Sequence, residues 1–282
     1  MKKQSIQRKA RWTKAQVYAE YGIAYDRKAN KIYHPFFGWI KPLLINGNDK
    51  LGRGVYTYST LATNRFYDVV LDTVHGPAEY HLNGTCPCCC KECYATKGRY
   101  VFDNVVRSNA RKTLLSRIDI DWMKNAIIAQ IKADRIAICR IHASGDFDSA
   151  EYVQAWRDIV KESDGTIFWT YTKNKAAENA FDDLNNINVV RSVIPGIGFN
   201  YGHCDYIIRT YKALKALGKR VYICRCGIDS KQHCTNCHGC FENAIVLFIE
   251  HSTEYKAEKD PAFAELKEII ESQDRTVAGI AA

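Results

Sequence analysis

Residues 135–173 read RIAICRIHASGDFDSAEYVQAWRDIVKESDGTIFWTYTK, and this stretch decides the fold. Arg135 to Ile141 is a short apolar run of strand length. Ala150 to Val160 is an amphipathic helix with Tyr152, Val153, Trp156, Ile159 and Val160 on one face. Thr166 to Tyr171 is a second strand, rich in β-branched and aromatic residues. Strand, helix and strand in this order make a βαβ unit, and the crossover helix makes its strands parallel.

The alternation continues on both sides. Downstream come a helix over Asn174 to Leu184, a strand over Asn188 to Ile194, a helix over Tyr206 to Leu217, and strands over Arg220 to Cys224 and Ala244 to Glu250. Upstream, Val105 to Ile131 is helical by period, as two helices. Val55-Tyr56-Thr57-Tyr58 and Asp68 to Val74 read as strands, and Asn46-Gly47-Asn48-Asp49 as a turn. About six βα units are too few for the eight of a closed barrel. The expected class is therefore α/β, an open, partial (β/α)6 TIM-like barrel. Residues 1–66 would form a basic N-terminal arm and lead-in subdomain. Residues 67–282 would form the barrel, opening on Asp68 to Val74 and carrying a C-terminal cysteine-rich metal-binding insert at 223–241.

The 282 residues are 46% hydrophobic and 25% charged, enough to bury a core without disulfide staples. Met1 to Ala19 is polar and basic, with no apolar run behind it, and no stretch reaches the roughly 20 apolar residues of a membrane span. A membrane protein and a secreted disulfide scaffold are both disfavoured, and a cytoplasmic location with reduced thiols is expected. The 12 cysteines then read as metal ligands or redox groups. The net charge is +9, and Lys2, Lys3, Arg8, Lys9, Arg11 and Lys14 crowd the first fourteen residues. Such an arm suits nucleic acid or another anionic partner, and equally a solvated terminus.

In parallel α/β folds the functional site lies at the carboxyl ends of the strands. Arg140, His142 and Ser144 alternate there and should share a face. Gly145 and Asp146 follow; the next strand ends in Tyr171-Thr172-Lys173, and the one after in Arg191-Ser192. Gly145 would let a ligand approach the backbone, and Asp146 could accept from an ammonium. Ser144 to Asp146 could equally cap the following helix. His142 is either a proton or anion group or a hydrogen-bonded core histidine. Cys139 reads as plain core, and Cys204, beside His203 and Asp205, is a weaker functional candidate.

Two cysteine groups carry the chemistry. Asn83 to Ala95 reads NGTCPCCCKECYA. Within it Cys86, Cys90 and Cys93 have C-x-x-x-C-x-x-C spacing, which can wrap three corners of a cubane cluster and leave the fourth iron open. Cys88 and Cys89 offer other ligand sets, and a structural zinc stays open here. The second group is Cys224, Cys226, Cys234, Cys237 and Cys240. Cys226, Cys234, Cys237 and Cys240 are the expected ligands, with Cys224 as the alternate and His233 and His238 as substitutes. Its C-x-x-C-x-x-C run suits an auxiliary iron–sulfur cluster, and its paired knuckles suit zinc.

The C-x-x-x-C-x-x-C loop ahead of βα units resembles the radical S-adenosylmethionine (SAM) superfamily. More narrowly, Asn46 to Gly52, Thr85-Cys86-Pro87, Cys93-Tyr94-Ala95, Ser144-Gly145-Asp146-Phe147 and Tyr171-Thr172-Lys173 resemble a phage family called gene product eighty-eight, itself similar to radical SAM proteins. The resemblance runs from about Asn46 to Ser252. It implies a partial TIM-like barrel with a 4Fe-4S cluster on Cys86, Cys90 and Cys93. It also implies SAM held by Ser144, Gly145, Asp146, Tyr171, Lys173 and Ser192, a second 4Fe-4S cluster or zinc, and an electron donor such as flavodoxin. The implied activity is reductive cleavage of SAM to a 5′-deoxyadenosyl radical that acts on a nucleotide or nucleic-acid base, in the host cytoplasm. The superfamily's aromatic before the third cysteine is Glu92 here, with Tyr94 as its possible substitute. The rival expectation is a non-enzymatic zinc protein that binds nucleic acid; a base-exchange enzyme with a structural zinc on a similar barrel is a third.

Overall fold

The computed structural model describes residues 12–47, 51–87, 93–194, 196–229, 233–234, 237, 239–242, 245–250 and 256–278. Cys88, Cys89, Cys90, Glu92, His238, Asn48 to Lys50 and the basic residues before Trp12 lie outside them. The chain begins with α1 (Lys14–Glu20) and an antiparallel meander β1 (Tyr25–Asp26), β2 (Lys31–His34) and β3 (Gly38–Ile40). Then come β4 (Ile45–Asn46), β5 (Val55–Thr57) and the pair β6 (Phe66–Thr73) and β7 (Gly76–Asn83). The helices α2 (Asp103–Ile118) and α3 (Ile120–Asp134) lead to β8 (Ile138–Ile141), α4 (Ala150–Glu162), β9 (Ile167–Thr172), α5 (Lys175–Glu178) and β10 (Ile187–Arg191). The remainder is β11 (Val193–Ile194), β12 (Gly198–Phe199), β13 (Tyr201–Gly202), α6 (Cys204–Ala216), β14 (Val221–Ile223), α7 (Gly239–Glu242), β15 (Ile245–Ile249) and α8 (Phe263–Ala278).

The architecture is mixed α/β. The main sheet has the order β10-β9-β8-β5-β4 and is parallel from β5 to β10, with β4 antiparallel at its edge. A second sheet, β13-β15-β14, is also parallel. The described strands do not close into a barrel. Asn200 links the two sheets: its backbone N–H donates to Ser192 O at 3.4 Å and its side chain to Val246 O at 2.7 Å.

The core forms where α2, α3 and α4 cover the main sheet. As the periodicity predicts, α4 buries Tyr152, Val153, Trp156, Ile159 and Val160. Each such side chain contributes about 1.5–3 kcal/mol. Trp156 packs edge-on against Tyr58, which follows β5, at 5.3 Å. The two-helix reading of Val105 to Ile131 is matched by α2 and α3, divided at Asp119, whose side chain caps α3 through Trp122 N.

Three expectations are corrected. Val55–Thr57, and not Asp68 to Val74, opens the parallel series, since β5 pairs with β8. Asp68 to Val74 lies in the β6–β7 antiparallel hairpin and its turn, so the cysteine loop follows a hairpin. The helix expected over Asn174 to Leu184 is only α5, because the chain turns through residues 179–184 to meet α4. Arg157 there takes Asp183 in a two-pronged ion pair at 2.7 and 2.8 Å and donates to Ala180 O. The strand expected over Asn188 to Ile194 breaks at Ser192, where β10 leaves β9 and β11 turns to pair with β12. No helix of the described residues is long and apolar enough to cross a membrane.

Candidate functional site

The first cysteine loop is fastened to the carboxyl edge of the main sheet by threonines. Thr85 donates its hydroxyl to Leu61 O at 3.0 Å, so Thr60, 2.9 Å away, is the donor to Thr85 Oγ1. Asp146 N donates to the same Thr85 oxygen at 2.9 Å, and Cys86 N donates to Thr63 O at 3.0 Å. Two glycines make this approach possible. A Cβ on Gly84 would stand 2.1 Å from Ala62 O, and one on Gly145, whose φ is +85°, would stand 1.9 Å from Thr60 Oγ1. The space over Gly145 is therefore filled by Thr60 and Thr85, where the sequence suggested an approaching ligand. Gly145→Ala is expected to cost about 3 kcal/mol, from left-handed strain and overlap together. A urea denaturation midpoint checks this.

Asp146 is buried and ties two strand ends together. Its Oδ1 accepts from Thr172 Oγ1 at 2.6 Å and Phe147 N at 2.8 Å, and its Oδ2 accepts from Lys173 N at 2.8 Å. Three of about four lone-pair sites are thus taken by the chain itself. Burial raises its pKa, against these three donors. The cap of α4 is not Ser144 or Asp146 but Ser149, which accepts from Tyr152 N at 3.1 Å. Ser144 instead donates to Thr60 O. Ser192, half-buried, pairs its N–H with Thr172 O at 2.9 Å.

Cys86 stands within electrostatic range of Cys93, of Asp146 and of Lys173. Burial first, then the Asp146 charge, pushes the Cys86 thiol up to about 12, while Lys173 pulls the other way. Cys93 closes a short turn, its carbonyl accepting from Thr96. Cys90, the middle ligand of the expected set, lies outside the described residues.

Arg140 and His142 do not share a face as strand alternation predicts. His142 has φ +60°, which takes it out of the pleat. Its ring is buried against Phe147, Tyr152 and Trp156, with Nε2 at 2.8 Å from the Tyr152 hydroxyl. Burial first, then Arg140, lowers its pKa to about 3, so it is a neutral core histidine. Arg140 turns the other way. Its guanidinium lies 4.8 Å over the Tyr171 ring and donates to the Tyr94 hydroxyl at 3.1 Å. Tyr94 and Tyr100 both donate to Ala143 O, at 2.6 and 3.2 Å. Burial opposes the Arg140 charge, but Tyr94, Tyr171, Tyr100 and Cys234 outweigh it and hold its pKa above the ordinary value.

The second cysteine group lies between β14 and β15, over β9 and β10. Tyr171 donates its hydroxyl to Cys240 Sγ at 2.8 Å, and Asn188 donates to Cys240 O at 2.7 Å. The Tyr222 hydroxyl lies 3.4 Å from Cys237 Sγ. Cys226 is in hydrogen-bonding range of both Cys224 and Cys234, and that contact, then burial, raises both their pKa values. Burial pushes Cys240 up to about 12, against the Tyr171 hydrogen bond. The structure thus gathers Cys224, Cys226, Cys234, Cys237 and Cys240. Cys139 is buried core, as expected, and so is Cys204, under Ala257 O.

Among the described residues no group of three or more His, Cys, Asp or Glu side chains stands close enough together to hold a metal ion as drawn. The donor chemistry nevertheless fits a thiophilic centre. Crowded, half-buried thiols resist ionising alone, and a metal binds them by displacing the protons. Thr60 and Tyr222 carry no motif that marks them in the sequence, whereas Arg140 stands with His142 and Ser144 among the expected strand-end residues. A charge inside an apolar strand was the available signal for Arg140.

The Gene product 88 family model matches residues 42–195. That stretch holds Cys86, Cys93, Asp146, Tyr171, Lys173 and Ser192, and ends before Cys224. A "Gene 88 protein" of Mycobacterium phage D29 is 28% identical over 151 aligned residues, covering 44% of this chain and 61% of that relative. The similarity therefore spans about three-fifths of the relative's length. No solved structure matches the chain. Since the family model covers more than half of the 282 residues, the chain belongs to the Gene product 88 family.

Proposed function

We propose that this protein is an iron–sulfur enzyme of the radical SAM kind, built on a partial (β/α)6 barrel. One arrangement carries the reading: Cys86 stands within electrostatic range of Cys93, Asp146 and Lys173, and Thr85 before it bonds Asp146 N, at the carboxyl ends of parallel strands, where α/β enzymes keep their chemistry. Cys86, Cys90 and Cys93 would hold a 4Fe-4S cluster. Such a cluster, reduced by an external one-electron donor such as flavodoxin, would supply the electron that splits SAM into methionine and a 5′-deoxyadenosyl radical able to take a hydrogen atom from the substrate. The chain's own groups bind and orient. Lys173 offers a cation for a carboxylate. The remaining lone pair of Asp146 can accept from an ammonium, and its other bonds keep the two strand ends in register. Tyr94, half-exposed beside Cys93, offers a ring to the adenine. The second thiol group would hold another 4Fe-4S cluster or zinc.

The net charge of +9 favours an anionic substrate, and a nucleotide or nucleic-acid base is the substrate class we assign. The test is anaerobic purification with iron, sulfide and zinc counted per chain, followed by an assay for 5′-deoxyadenosine. About eight irons, or about four with one zinc, are expected, together with SAM cleavage that rises with added nucleotide, DNA or RNA. Zinc alone, with no iron after reconstitution, would overturn the radical reading and leave a zinc-binding nucleic-acid-binding protein.

A further inference from the structure

Arg140 and Tyr171 are costly residues for the places they occupy. A guanidinium on a central strand between two helix-covered neighbours loses solvation that an apolar side chain would not miss. The compensating contacts the structure gives it are the face of the Tyr171 ring and the Tyr94 hydroxyl. Tyr171 makes the first of these contacts. Its ring carries the guanidinium on its face, sits edge-on to Phe248 at 5.3 Å, and ends in a hydroxyl bonded to Cys240 Sγ. On its other side Arg140 holds Tyr94, the residue after Cys93. An unbroken run of contacts therefore joins the two thiol groups: Cys93-Tyr94, Arg140, Tyr171, Cys240.

We infer that Arg140 and Tyr171 are positioning residues shared by the two cysteine sites, Tyr171 by donating to the Cys240 sulfur and Arg140 by bracing Tyr171 against the Tyr94 turn of the first loop. The inference rests on the proposed reading that both sites take a metal or cluster. Four thiolates around a zinc ion or a 4Fe-4S core leave a site net negative, and Arg140, over the Tyr171 ring that bonds Cys240, is a cation placed to offset that charge. Outer-shell donors of this kind fix ligand orientation, and their loss lowers metal affinity about 10–100-fold. The second site has a further contact of this kind, since the Tyr222 hydroxyl lies against Cys237 Sγ. Asn188 anchors the Cys240 backbone. A Cβ on Gly239 would meet the Tyr222 ring at 2.2 Å, which shows how closely the ligand-bearing helix is seated.

The test compares Tyr171→Phe, Arg140→Gln and Arg140→Lys with the parent protein, all full length. Metal affinity is read by chelator competition, the visible spectrum by titration, and folding by circular dichroism and melting. Second-site affinity is isolated in a Cys86→Ala background. Tyr171→Phe is expected to lower second-site affinity about 10–100-fold, to shift that site's charge-transfer bands when it holds iron–sulfur, or cobalt in place of zinc, and to leave first-site content and the fold intact. Arg140→Gln is expected to lower affinity at both sites. Arg140→Lys keeps the charge but lacks the planar fork, so it should recover the second site and not the first. Folded Tyr171→Phe and Arg140→Gln proteins with parental affinity and spectrum would overturn the inference while the metal reading stood. Should Arg140→Gln not fold, parental first-site affinity in Arg140→Lys overturns it equally. A parent protein that takes up no metal at all would overturn the reading beneath it.

Discussion

Cys86→Ala should empty the first site and bring SAM cleavage to the no-enzyme background, with the fold retained. Cys86 is presented by Thr85 and Gly84, whose bonds to Leu61 and Arg65 are independent of the sulfur. The Cys86 backbone bond to Thr63 O survives the substitution too. Removing one half-buried sulfur should therefore cost about 1 kcal/mol or less. The chemistry should not survive if Cys86, Cys90 and Cys93 are the ligands, because a cluster held by three cysteines is lost with any one of them. The iron count should fall by about four per chain. A thiol held up at about 12 gives up its proton only to a strong competitor, so cluster uptake by the parent should release protons and strengthen with pH. The measurements are iron per chain, 5′-deoxyadenosine produced and the melting curve. Full SAM cleavage by the variant would remove Cys86 from the ligand set and shift attention to Cys88 and Cys89. Lost folding would favour a structural zinc in the same loop.

The stretch from Arg135 to Thr172 was legible because local signals and tertiary demands agree there. An apolar strand, an amphipathic helix with Trp156 on its buried face and an aromatic strand fell close to their expected positions. Where the two disagreed, reading failed. Asp68 to Val74 alternates like any strand, and nothing in a period of two says whether its partner is parallel or antiparallel. The partner was written nearby: Gly76, at φ +103°, closes a turn directly after Thr73. Asn174 to Leu184 has helical composition, but the ion pair from Arg157 to Asp183 decides where the chain turns, and that contact is tertiary. The helix α8 was overlooked although Phe263, Leu266, Ile269 and Ile270 have helical spacing. At the site, cysteine spacing disclosed both thiol groups. The alternation rule misplaced His142 because one left-handed residue reverses the face of everything after it. Arg140 was legible as a strand-end residue, but its partners, and Tyr222 altogether, follow only from the sheet order, which brings β8, β9 and β14 under two distant loops.

Lys112→Met should stabilise the protein, most at pH 6 and little at pH 10.5. Lys112 lies on the buried face of α2 with only 4% of its surface exposed. Its Nζ has no hydrogen-bond partner among the described residues and sits 5.4 Å over the Tyr58 ring. Burial first, then Arg111, pulls its pKa from 10.5 down to about 7. The folded value lies below the unfolded one, so between these two pH values the unfolded chain keeps a proton that the folded chain has released. Stability therefore rises with pH across that window, and the gain is lost as pH falls through about 7. Each pKa unit corresponds to about 1.4 kcal/mol, which puts the penalty for the charged form on the order of 5 kcal/mol. The cation–π contact returns about 1–2 kcal/mol of this in the parent, and methionine fills nearly the same volume. A net gain of about 3–4 kcal/mol is expected at pH 6. His142 acts in a different window: its folded value of about 3 lies below its unfolded 6.5, so its contribution is lost between those values as acid is added. The raised thiols act with the opposite sign, since stability from their protonated form is lost as pH rises past the unfolded thiol value. Both are common to parent and variant, so the difference in urea midpoint at each pH isolates Lys112. An equal gain at pH 6 and pH 10.5 would mean that shape, not charge, governs this position. A loss at pH 6 would mean that the buried ammonium has an anionic partner, and that Lys112 belongs to a site rather than to the core.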